Sequence, residues 1–148
     1  MRAPVSRGTP LRVILDTNVL LSGIFFGGVP ERILAAWQRD RLDLVLSLPI
    51  LAEYHDAGAV LAARYSAIAT PLDAVLTLLT QTALLVDAPE LPERVSADAA
   101  DDKFLACALA AQVPLIISGD QHLLRVSGWR GITIVTPRHF VDRYLDDE

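Results

Sequence analysis

The chain has 148 residues, 52% of them hydrophobic, 21% charged and 6% aromatic, with a formal net charge of −5. That length suits one domain with a single core, and so apolar a composition with so modest a charge excludes intrinsic disorder. A lone cysteine excludes an intramolecular disulfide framework and a Cys-rich zinc site, while the acidic balance (pI ≈ 5.1) argues against gripping nucleic acid through a broad basic surface.

Residues 1–10, with Pro4, Gly8 and Pro10, read as a flexible leader, and residues 11–148 as one domain. The mean hydropathy of +0.37 is high, but charges interrupt every apolar run well short of the roughly 20 residues a membrane helix needs. Asp16 falls where a secretory apolar segment would have to continue, so neither a signal peptide nor a membrane association is expected. With one cysteine, a cytoplasmic location is the default expectation.

Leu11–Leu15 (LRVIL) is apolar apart from Arg12, the signature of a buried parallel strand. A polar, glycine-containing stretch covers 16–28, and Pro30 then opens a helix with Ile33, Leu34 and Trp37 on one stripe. Leu42–Leu46 is the second strand. Ser47 before Leu48-Pro49 marks a helix start, with Leu51, Tyr54 and His55 in the following turns. Thr70-Pro71-Leu72-Asp73 offers a cap hydroxyl, a first-turn proline and an early acid for another helix. Residues 84–86 suit a short strand.

The acidic segment 96–102 leads into an Ala/Leu-rich helix over 103–112, broken by Val113-Pro114. Leu115–Ile117 is a fourth strand ending in Ser118-Gly119-Asp120. A short helix over 121–126, a fifth strand over 132–135 and a terminal helix over 137–144 complete the chain. Strands alternating with helices predict an α/β fold, a parallel sheet of four to five strands between two helical layers.

The acids fall at strand ends. Asp16 follows the first strand, Glu53 lies in the first turns after the second, and Asp120 follows the fourth. Asp98, Asp101 and Asp102 head the helix that feeds the fourth. Ligand crevices of open α/β sheets lie outside the carboxyl ends of the strands. One such acid can be a helix-dipole partner or a turn former. Several converging carboxylates need either raised pKa values or a divalent cation among them. Oxygen ligation suits Mg²⁺ or Mn²⁺ and metal-assisted attack on a phosphodiester. Asp101 heads the stripe Phe104, Leu105 and Ala108 and ranks first of its three, then Asp98. Asp102 is turned about 100° away and is expected to be solvated.

The segments LDTNVLLSG at 15–23, LAEY at 51–54, DAADDKFLACALA at 98–110 and IISGDQHLL at 116–124 together resemble the PIN domain, the fold of many bacterial VapC-type toxins. The resemblance spans nearly the whole chain in order. It implies a three-layer α/β/α fold and a ribonuclease directed at single-stranded RNA, the toxin of a toxin–antitoxin pair. One or two Mg²⁺ or Mn²⁺ ions, a homodimer and an antitoxin partner are implied with it. The family's four acids fall on Asp16, Glu53, Asp101 and Asp120 as catalytic and metal-binding residues, and Thr17 and Asn18 match its polar pair. His122 stands where many relatives carry a further acid, which makes a one-metal site credible, and Ser118 stands where relatives often have Thr.

His122 itself is open to three readings: a ligand, a proton shuttle or a solvated turn residue. His55, His139 and Cys107 are read as uninvolved. Two other functions compete. A non-catalytic PIN-like module that binds RNA or protein would account for His122 but not for four retained acids. An aspartate-dependent phosphatase or receiver-like domain would want a second acid where Asn18 stands.

Overall fold

Short, mostly apolar runs make strands that must be covered on both faces, and the middle of the sheet obeys this. The computed structural model describes residues 10–65 and 69–145, so all but Pro10 of the expected leader lies outside the described residues. Five strands, β1 (Leu11–Leu15), β2 (Leu42–Leu46), β3 (Leu84–Leu85), β4 (Leu115–Ile117) and β5 (Thr133–Val135), form one all-parallel sheet in the order β3-β2-β1-β4-β5. The fold is α/β, as expected. Val13, Ile14 and Leu15 are buried, whereas Leu11 and Arg12 at the start of β1 are exposed. The edge strand β3 is short, and Val86 N still donates to Leu46 O at 2.9 Å.

The stretch after β1 departs from the sequence reading. Thr17–Phe25 is helical (α1) and buries Val19, Leu20, Leu21 and Phe25, so an apolar stripe at helical spacing outweighs Gly23 and the polar start. Gly23 is a packing residue: a Cβ there would lie 2.7 Å from Leu34 Cδ1 and 3.1 Å from the Pro30 carbonyl carbon. The next helix, α2 (Gly28–Gln38), crosses there at 95° to α1 after Gly27, whose φ is 75°. Ile33, Leu34 and Trp37 of α2 are buried on the expected stripe. No single helix among the described residues is long and apolar enough to cross a membrane.

Helix α3 (Leu48–Arg64) starts as expected, with Ser47 Oγ accepting from Ile50 N at 3.4 Å. Helix α4 spans Ala69–Thr82, beginning before Thr70; the side chains of residues 69–71, and with them the expected Thr70 cap, lie outside the described residues. Helix α5 (Asp102–Ala111) follows a 3-10 turn at Ala99–Asp101 and ends at Gln112, whose φ of 57° reverses the chain. Phe104, Leu105 and Ala108 are buried beneath it. Helix α6 is only Gln121–Leu124. Helix α7 (Pro137–Phe140) continues as a π-helical turn, Val141–Leu145.

Connections place the site. The chain steps outward from β1 to β2 to β3, then returns past β1 through α5 to β4 and β5. Right-handed crossovers put the outward and returning connections on opposite faces. The direction reverses between β1 and β4, which makes their carboxyl ends the switch point where such folds open a crevice. Asp16 and Asp120 stand there.

Candidate active site

Asp16 is fixed by the sheet itself. Its N–H donates to Ile117 O at 2.9 Å, extending the β1–β4 ladder by one residue. Immediately before it, Leu15 O accepts from the buried Tyr54 hydroxyl at 2.6 Å, which pins α3 to the end of β1. Asp16 is only 5% exposed. Burial raises its pKa; a hydrogen bond from Ser118 Oγ at 2.6 Å opposes this, and the charges of Asp120 and Glu53 add to the rise. The fully buried Ser118 Oγ also accepts from Asp120 N at 2.9 Å, so one hydroxyl joins the ends of β1 and β4. Asp120 Oδ1 in turn accepts from His122 N at 2.8 Å and caps α6.

The second wall comes from the turn before α5. Asp101 is buried, with Oδ2 accepting from the buried Ser96 Oγ at 3.1 Å. Its pKa is pushed up to about 6, first by burial and then by the Asp120 charge, with Asp98 and Asp16 adding to it. Asp98 is exposed and caps the 3-10 turn by accepting from Ala100 N at 3.0 Å. Asp102 corrects the sequence reading. It is half-buried rather than solvated, its two oxygens accepting from Val95 N at 2.9 Å and Ser96 N at 2.8 Å. It fastens the loop that carries Ser96 and takes no place among the converging acids.

Asp98, Asp101, Asp120 and His122 each offer one ligand atom, all within 4.8 Å of one another. Two ligands of one divalent ion stand at most about 5 Å apart, given metal–oxygen distances near 2.0–2.6 Å. The set therefore fits a cation. Among the described residues no lysine or arginine pairs with Asp16, Asp98, Asp101 or Asp120. The imidazole of His122 lies 3.8 Å from Asp120 Oδ1. Asp16 adjoins the set through Ser118 and through its charge coupling to Asp120 and Asp101.

Glu53 stands apart. Its Oε2 accepts from the Thr17 hydroxyl at 2.5 Å, and its Oε1 pairs with Lys103 Nζ at 2.5 Å. Lys103 also donates to Ala100 O at 2.6 Å, so it ties α3 to the turn that carries Asp101. Asn18 is exposed at the start of α1, and its side chain makes no hydrogen bond among the described residues. A cleft of about 410 Å³ is lined by Lys103 together with Pro49, Leu91, Arg94 and Ala106. The sequence reading missed Lys103, Ser96 and Tyr54. Each acts on a partner through tertiary contact; only the serine, five residues before Asp101, left a local trace.

A family model described as PIN domain matches residues 12–122, well over half of the chain. No curated protein matches it.

Proposed function

The chain belongs to the PIN domain family, and from that premise we propose that it is a metal-dependent endoribonuclease that hydrolyses phosphodiester bonds of single-stranded RNA. The observation that carries the reading is the convergence of Asp98, Asp101, Asp120 and His122 on one point, beside a buried Asp16 with no basic partner among the described residues. A divalent ion bound there supplies activated water and neutralises charge on the phosphodiester. Asp101, Asp120 and Asp16 would hold it, with Asp98 and His122 at the margin. A carboxylate-rich set suits Mg²⁺ or Mn²⁺, and an imidazole nitrogen tilts the choice toward Mn²⁺.

The chain's own residues divide the remaining work. Ser118 keeps Asp16 and Asp120 in register through its two hydrogen bonds. Thr17 orients Glu53, whose Oε2 keeps a lone pair to accept the proton of the attacking water. Asn18, exposed at the rim, supplies an amide donor to phosphate. The preference for single-stranded RNA, the role as toxin beside an antitoxin protein and the homodimer rest on the ordered motif set, and the cytoplasmic location on the lone cysteine.

Cleavage of single-stranded RNA with and without Mn²⁺ tests the proposal. Wild type should cut only with metal, and Asp16→Asn should lose at least 10²-fold in rate, the scale on which an electrostatic catalytic group acts. Equal rates in the two proteins would remove this mechanism.

A further inference from the structure

Resting on the metal-dependent reading above, we infer that the chain takes a single divalent ion, at Asp101 and Asp120, and that the Lys103 ammonium occupies the place of a second cation beside Glu53. Both oxygens of Glu53 are engaged, one by Thr17 and the other by Lys103, each at 2.5 Å. A divalent ion could bind Oε1 only by displacing the ammonium, because two cations on one oxygen repel each other, and Oε2 only by sharing it with the Thr17 hydroxyl beside the Lys103 charge. The pair is sheltered, with the Lys103 and Glu53 side chains 22% and 34% exposed.

The position of Lys103 is built, not incidental. Its second hydrogen bond, to Ala100 O at 2.6 Å, anchors the ammonium to the turn that leads directly into Asp101. It is thereby held between the two walls of the site, one from α3 and one from the start of α5. An ammonium has three N–H donors, and two are used here. The third is left for an anionic oxygen of the substrate, the service a second cation gives in two-metal hydrolysis. The four ligand atoms of Asp98, Asp101, Asp120 and His122 form a separate group that does not include Glu53. One place fit for an ion and one place already filled by a side-chain cation make a mixed pair, metal plus lysine. Lys103 is accordingly a positioning residue for Glu53.

Counting bound ions decides this without reference to RNA cleavage. Protein is titrated with MnCl₂, and the free ion is read by its electron paramagnetic resonance signal. Wild type should take up one Mn²⁺ per chain. Lys103→Met should take up two, with the second lost again in Lys103→Met/Glu53→Gln, while Lys103→Arg should stay at one. Cooperative thermal melting checks that each variant is folded, and Lys103→Gln replaces the methionine variant if that one is not. Two ions in wild type, or one in folded Lys103→Met, would overturn the inference and leave the nuclease reading standing. One ion in a protein that cleaves no RNA would overturn the nuclease reading instead. No uptake by wild type would overturn both.

Discussion

Asp101 sits at the centre of the proposed chemistry and carries a cost. Its pKa is pushed up to about 6 by burial and by the charges of Asp120, Asp98 and Asp16. A carboxyl raised above its unfolded value binds its proton more tightly when folded. Its contribution to stability is therefore full below about pH 4, the unfolded range, and is lost as pH rises through about 6. Asp101→Asn should accordingly melt higher than wild type in metal-free buffer at pH 7, and the difference should shrink toward pH 5. Protons and metal compete for the same oxygens, so Mn²⁺ affinity of wild type should fall below about pH 6. Differential scanning at the two pH values checks the first expectation, and titration with Mn²⁺ checks the second. A difference between the two proteins that grew toward pH 5 would contradict the assignment. Asp16, raised in the same direction by burial, adds to the same trend.

The helices set these acids in place by close packing. α1 and α2 cross where Gly23 leaves no room for a methyl group, with Leu34 and the Pro30 backbone in the way. Gly23→Ala should cost about 1–3 kcal/mol through overpacking, a fall of roughly 2–4 °C in melting temperature per kcal/mol for a chain of this size. An unchanged melting temperature would mean that the crossing relaxes freely. The same residue explains where the sequence was hard to read. A glycine next to a serine, in a stretch opened by Asp-Thr-Asn and closed by two more glycines, resembles a loop signal until its partner, eleven residues on, is in view. Other elements were plain. β2 and β4 have the bounds their apolar runs suggested, and Ser47 caps α3 as its place before Leu48-Pro49 indicated. Asp102 was misread because its partners, the N–H groups of Val95 and Ser96, belong to a loop with no periodic signature.

At the scale of the molecule, the site is assembled from four segments that meet only through the sheet and its crossovers. A ligand bound by the folded state alone stabilises it by mass action, about 2.7 kcal/mol at one hundred times its Kd. Mn²⁺ at that concentration should raise the melting temperature of wild type and leave Asp101→Asn nearly unmoved. An equal rise in both would place the ion elsewhere.

The sequence by itself determined the α/β class, the strand positions and the placing of acids at strand ends, because these follow from local periodicity and short-range caps. Only the tertiary structure decided the rest. Sheet order made β1 and β4 neighbours, so that one serine hydroxyl could hold Asp16 and the backbone of Asp120 together. Packing of α3 against α5 brought Lys103 to Glu53, fifty residues away in the chain. Pairings at that range depend on chain topology, which no local pattern of residues encodes.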